Sequence, residues 1–414
     1  MNFVTKKAAI LSLCVLCIII AVSVIIVSAE DVDYDALALA EGYVCRIGDS
    51  ETAYDEGKFS GYYRFFTAAD LYYDGTTSAL ESAKSGEEIT LIDDIRTHRK
   101  KVSQAGTFHD GSITTLDIGG SSKDIVINGN GYTYKAMFSF RAITNTLTVK
   151  NLNFVLLRGS IENFADVRQG GTINFENCTF TSESPVDRSQ YGYFMLYIKD
   201  EEKTTNLNFN NCTVKLAEGT TTAGYLINFV GNMNNCRVYC NNFTADFYKS
   251  APKVGAFKLA GGELIIEGDS YIHSGRMLLD SVPNNPGADM FVTIGGNTQL
   301  LYTPEAARAD KYIPISAYGN NQYSFYFTMK DNAKLYSTYE CFGVNHDTQA
   351  CKLASITIED NAEVIHEPPP FKLASVPSEP LREYILKTTP RLPQHLFYSA
   401  LTRPTTTLRS TSQL

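Results

Sequence analysis

One pattern recurs through the middle of this chain: apolar, any, apolar, any, then Asn, Gly or Asp, then apolar again. It is the alternation of a half-buried strand running into a turn. LTVKNLNF from Leu147, INFENCTF from Ile173 and LNFNNCTV from Leu207 nearly superimpose, and GNMNNCRV from Gly231 is a weaker copy. LIIEGDSYI from Leu264, VTIGGNTQL from Val292, FTMKDNAKL from Phe327 and ITIEDNAEV from Ile356 form a second type with a turn one residue longer. IVINGNGYT from Ile125 has this second form and opens the array. With Gly129, Asn151, Asn177, Asn211, Asn235, Gly268, Gly296, Asp331 and Asp360 taken as equivalent, the copies recur every 22 to 35 residues. A copy this short cannot bury its own apolar face, so the copies must stack, about 4.8 Å per layer.

Stacking predicts an all-β solenoid, a parallel β-helix, with Val149, Phe175, Phe209, Ile266, Ile294, Met329 and Ile358 in inward columns. Each turn residue then sits above its equivalent, so Asn151, Asn177, Asn211 and Asn235 are expected to form a hydrogen-bonded ladder. Cys178, Cys212 and Cys236 follow these asparagines and read as a column of small buried side chains, with one bridge between adjacent copies allowed.

The NxF and NCT turns and the asparagine column resemble those of the right-handed parallel β-helix, or pectate-lyase-like, superfamily. TTSALESAKSGEEITLIDDI from Thr76 resembles the short capping helix, glycine and first strand that open many bacterial surface β-helices, with Thr77 or Ser78 as N-cap and Gly86 closing the helix. The resemblance covers about Thr76 to His366. It implies a fold far more than a function, because the same coil carries lyases, hydrolases, adhesins and passive surface proteins.

Residues 1–29 read as a signal peptide or N-terminal anchor: Lys6 and Lys7, an uncharged apolar stretch from Ala8 to Val27, then Ser28 and Ala29. The stretch is long enough to span a bilayer, so both cleavage and retention stay open, and either way the body is exported, secreted or at the cell surface. Residues 30–87 are acidic and tyrosine-rich and are expected to cap the first coil, covering an otherwise exposed strand edge. Coils fill 88–366. Residues 367–414 hold eight of the 14 prolines and read as a flexible tail.

The net charge of −9 is uneven. The tail carries six Lys/Arg against three Glu and the leader two Lys, so residues 30–366 hold about −14 by subtraction. An acidic body argues against nucleic acid as a partner and against direct attraction to acidic polymers such as pectin or alginate, and the membrane is expected to be met only through the N-terminal segment.

No catalytic signature stands out. Arg158, Arg168, Lys199, Arg237, Lys249 and Lys253 are lone basic residues. The paired carboxylates a glycoside hydrolase needs, about 5 to 9 Å apart, are not offered by Asp93/Asp94 or Glu359/Asp360, whose adjacent side chains diverge. His98, His109, His273, His346, His366 and His395 have no partner at motif spacing. Asp, Asn and Gly at the turns serve the backbone, and no run has the density of a calcium loop, so neither metal nor cofactor is expected. Cys341 and Cys351 flank a short loop and are the best candidate disulfide.

With 25 Tyr and no Trp, the chain offers Tyr191, Tyr193, Tyr197, Tyr318 and Tyr323 as a weak glycan-binding set, although aromatics on strands are more often packing. The reading is a structural or adhesive surface protein that contacts extracellular polysaccharide or cell-surface glycan, with a divergent polysaccharide lyase or glycoside hydrolase as the alternative.

Overall fold

The computed structural model describes residues 32–64, 79–96, 116–117, 123–136, 140–156, 164–183, 192–198, 203–219, 224–231, 236–281, 288–304, 314–317, 322–338, 341–344, 352–366 and 385–388. These residues build a β-helix-like solenoid from three long sheets of 13, 10 and 9 strands. One coil shows the path. Thr172–Glu176 lies in the first sheet, Thr179–Ser182 in the second and Gly192–Ile198 in the third, after which Thr205–Asn210 re-enters the first sheet beside Thr172–Glu176. From Glu88 onward, neighbours within every sheet are parallel and come from successive coils.

Alternation drives the packing. In Thr172–Glu176 the residues Ile173 and Phe175 are buried while Thr172, Asn174 and Glu176 are not, and the register stacks Ile173 on Leu147 and Leu207, and Phe175 on Val149 and Phe209. Further along, Val238, Leu264, Val292 and Phe327 continue one column and Cys240, Ile266, Ile294, Met329 and Ile358 the other. The interior holds an aromatic cluster in which the Phe180 ring lies 4.8 Å from that of Phe175, 5.0 Å from Phe194 and 5.4 Å from Phe164. Each such ring contributes about 1.5–3 kcal/mol by leaving water.

The turns after the first-sheet strands from Thr146–Lys150 to Ala354–Ile358 use a left-handed residue. Asn151, Asn177, Asn211 and Asn242 sit at φ 52 to 54°, and Gly268, Gly296, Asp331 and Asp360 at 56 to 69°. Asn, Asp and Gly tolerate that conformation best, which is why the column has this composition.

The fourth rung is a correction. Cys236–Asn241 is a first-sheet strand registered on Thr205–Asn210, with Val238 opposite Leu207 and Cys240 opposite Phe209. The turn residue equivalent to Asn211 is therefore Asn242, and Asn235 lies outside the described residues. Cys236 pairs with Thr205, a strand away from the turn, so it does not continue the column of Cys178 and Cys212. The reason is the pleat: strand alternation over 236–241 runs into Asn242-Phe243-Thr244, a turn of the same form as Asn211-Cys212-Thr213.

The N-terminal described residues extend the first sheet beyond Glu88–Leu91. Helix Tyr34–Ala40 begins at Asp33, whose side chain accepts from Ala36 N at 2.9 Å, and strand Cys45–Ile47 pairs antiparallel with both Tyr62–Tyr63 and Glu88–Leu91. Ala38, Ala53, Tyr62 and Ile92 close a small core of their own, flanked by Tyr34, Tyr43, Tyr54 and Phe59. Of the expected capping helix, the described residues hold Ala79–Ser82. Residues 1–31 lie outside the described residues, and among the described residues no helix is long and apolar enough to cross a membrane.

Within the segment expected to be a flexible tail, Ile385–Thr388 is a strand, parallel to Ala354–Ile358. The last first-sheet strand presents unpaired backbone groups at its open edge, and a short apolar stretch satisfies them. The rest of that segment lies outside the described residues.

Candidate functional site

Polar side chains concentrate on the outer face of the third sheet. Register aligns Arg141, Asp166, Met195, Asn228, Lys258, Asp280 and Ser316 in one outward row, one per coil. The row is shielded for an outer face, with Asp166 3%, Asn228 2% and Asp280 8% exposed. On the first sheet, the outward Thr148, Asn174 and Asn208 are only half-buried. A shielded polar row is costly unless it is paired, and Arg141, Asp166, Lys258 and Asp280 each have a partner.

Asp166 accepts from Arg168 Nε at 2.9 Å and meets Arg141 Nη2 at 3.2 Å. Further along, Tyr225 donates its hydroxyl to Asp280 Oδ2, and Tyr225 Oη lies 3.7 Å from Met277 Sδ. The tyrosine ring lies under two cations, with Arg276 Cζ 5.1 Å and Lys258 Nζ 5.9 Å from its centroid. Arg276 Nη1 is held by the carbonyls of Gly224 and Lys253, each at 3.3 Å. Gly255 makes room for this arrangement, because a Cβ there would meet the Tyr225 ring at 2.9 Å. Burial pushes the Asp280 carboxyl above its usual range, against the hydrogen bond from Tyr225 and the charges of Lys258 and Arg276.

The two carboxylates of the row cannot act as a glycosidase pair. Asp166 and Asp280 are four coil steps apart, about 19 Å at 4.8 Å per step, whereas the pair needs about 5 to 9 Å. The second half of the row instead offers a cation pair, an aromatic ring and a carboxyl within one patch.

A second cluster lies on the outer face of the second sheet. His273 stacks on Tyr248 with centroids 3.7 Å apart, shares a hydrogen bond with Thr303 Oγ1 at 2.9 Å through Nε2, and places Nδ1 3.4 Å from Asp246 Oδ1. Burial lowers its affinity for a proton, with Lys249 acting in the same direction and Asp246 opposing. The sequence shows no partner for His273 at motif spacing, and the coil supplies three from neighbouring layers.

Of the tyrosines expected to bind glycan, Tyr193 and Tyr323 have described side chains. Tyr193 is 5% exposed and packs against Phe164 at 5.8 Å, so it belongs to the packing and not to a platform. Tyr323 is half-buried just before strand Phe325–Met329. Tyr191, Tyr318 and the side chain of Tyr197 lie outside the described residues. On the first sheet the exposed Phe291 stacks on the half-buried Tyr326, parallel within 5° at 5.0 Å, with the faces turned toward each other.

The ladder is continuous. Asn177 Nδ2 donates to Asn151 Oδ1 at 3.1 Å, Asn211 to Asn177 at 3.1 Å, and Asn242 to Asn211 at 2.8 Å. The longer turns carry a ladder of their own: Asn297 donates to Asp269, Asn332 to Asn297 and Asn361 to Asn332, at 2.8, 3.1 and 3.3 Å. Cys341 is buried at the start of Phe342–Val344, and Cys351 lies outside the described residues, as does their pairing. Among the described residues no group of three or more His, Cys, Asp or Glu is placed to hold a metal ion.

No protein-family model, curated protein or solved structure matches this chain.

Proposed function

We propose that this chain is an exported right-handed parallel β-helix of the pectate-lyase-like type, acting as a structural or adhesive surface protein that holds extracellular glycan along the third sheet. The observation that carries the reading is the patch of Tyr225, Lys258, Arg276 and Asp280. It combines a tyrosine ring, two cations and a shielded carboxyl brought together from neighbouring coils. Groups from adjacent layers placed side by side suit an extended polymer that crosses more than one coil. The cations give an acidic body a local place for anionic or hydroxyl-rich sugar.

The enzymatic alternative draws support from one feature, the Asp280 carboxyl held above its usual range beside two basic residues. Groups with shifted proton affinity in a shielded face are candidates for acid–base work.

One experiment separates the readings. The purified chain is incubated with a panel of plant, algal and host polysaccharides, and polymer length and comigration are read by size exclusion. Binding without shortening, weakened at least tenfold in Lys258→Ala, supports the adhesive reading. Shortened polymer, abolished in Asp280→Asn, replaces it with the enzyme. Neither binding nor shortening leaves a rigid spacer.

A further inference from the structure

Cys178 and Cys212 follow the ladder residues Asn177 and Asn211 in consecutive coils, and the flanking registers Glu176 to Asn210 and Thr179 to Thr213 place one directly over the other. Parallel neighbours stand about 4.8 Å apart, inside the Cα separation of about 4.4–6.8 Å that a disulfide spans. Both carry free thiols turned the same way. Cys178 Sγ lies 3.4 Å from Val149 O and Cys212 Sγ 3.5 Å from Phe175 O, and Val149 and Phe175 are themselves register partners. The neighbouring thiol lowers the proton affinity of Cys212 and, together with burial, raises that of Cys178. Cys236 and Cys240 stand at other register positions, opposite Thr205 and Phe209.

We propose that Cys178 and Cys212 are a disulfide-forming pair that staples two adjacent coils when the chain folds in an oxidising compartment. The inference rests on the exported reading only for the source of the oxidant. In the balanced step, the Cys212 thiolate attacks one sulfur of a small-molecule or protein disulfide and releases the first thiolate. The Cys178 thiol then gives up its proton and attacks the Cys212 sulfur of the mixed disulfide, expelling the second thiolate. Two thiols are oxidised and one external disulfide is reduced to two thiols. At 2% and 0% exposure the pair is sealed in the finished coil. Exchange therefore takes place before these layers close, and the bond is afterwards protected from reductants that do not unfold the chain.

The test refolds the full chain from guanidinium in reduced and oxidised glutathione, and in parallel in reductant alone. N-ethylmaleimide then caps remaining thiols under denaturing conditions before peptide mapping. The expected result is a linked Cys178–Cys212 peptide in most oxidised molecules, absent from Cys212→Ala. Two fewer capped cysteines and a melting temperature about 5 °C above the reduced chain are also expected. An oxidised chain with native circular dichroism in which both residues are capped, or in which Cys212 is linked to Cys240, overturns the proposal. The buffer supplies the oxidant whatever compartment the cell uses, so that failure leaves the exported reading intact, and cell fractionation tests export by itself.

Discussion

Asn242 donates its side-chain amide to Asn211 Oδ1 at 2.8 Å, and its own Oδ1 accepts the backbone N–H of Asp269 at 2.8 Å. This single side chain joins the ladder of the short turns to that of the long turns, and it does so at φ 52°. Asn242→Ala removes both hydrogen bonds and strains a left-handed backbone, an expected loss of about 2–4 kcal/mol. Asn242→Gly keeps the backbone and loses only the bonds, about 1–2 kcal/mol. Denaturant unfolding of the two variants measures the difference, and equal losses would show that backbone conformation plays no part.

Phe180 touches Phe175, Phe194 and Phe164, and is wholly buried. Phe180→Ala leaves a cavity the surrounding rings cannot fill, for an expected loss of about 3–5 kcal/mol. Phe291→Ala, at 47% exposure, removes a large side chain from the outer face, and a loss below about 1 kcal/mol is expected there. A comparable effect at the two sites would mean that the interior is not the main source of stability.

The His273 cluster sets a pH dependence. His273 is held neutral by burial, with Lys249 adding to that effect and Asp246 opposing it. As pH falls below about 6.5 the unfolded chain takes up a proton that the folded chain does not. Stability present above that pH is therefore lost as pH falls toward the lower folded value. His273→Gln is expected to flatten the profile between pH 7.5 and 5, and Asp246→Asn to steepen it. Unfolding midpoints across that range check both.

Gly255 lies in register with Tyr225 and gives its ring room. A methyl group there displaces the ring from Asp280 and the two cations, so Gly255→Ala is expected to cost about 1–3 kcal/mol and to weaken any glycan binding as much as Tyr225→Ala does. Isothermal titration with the polysaccharide selected from the panel reads both. Undiminished binding in Gly255→Ala would place the glycan elsewhere.

The strands and turns were legible because alternation and left-handed turns leave local marks, as in INFENCTF around Phe175 and Asn177. The register at one coil was not, because the segment from Asn234 to Thr244 contains two Asn-Asn pairs, each followed by an apolar or small residue. Only pairing with Thr205–Asn210 selects the second of them. The third-sheet patch was hidden for a different reason. Tyr225 and Asp280 are 55 residues apart and Asp246 and His273 come from separate coils, so no local spacing announces either cluster. Conversely, Tyr193 looked available in the sequence, and burial against Phe164 was invisible there.

Every backbone ladder of the solenoid joins one coil to the next, so its hydrogen bonds run along the long axis of the molecule. A pull applied between the two ends loads those bonds one layer at a time, as a zipper is opened, and not all together in shear. The molecule is consequently stiff against bending and compression yet pays out length coil by coil under axial tension. A bond between Cys178 and Cys212 would keep the residues between them from adding to that extension, so the drawn-out chain would be shorter by one coil.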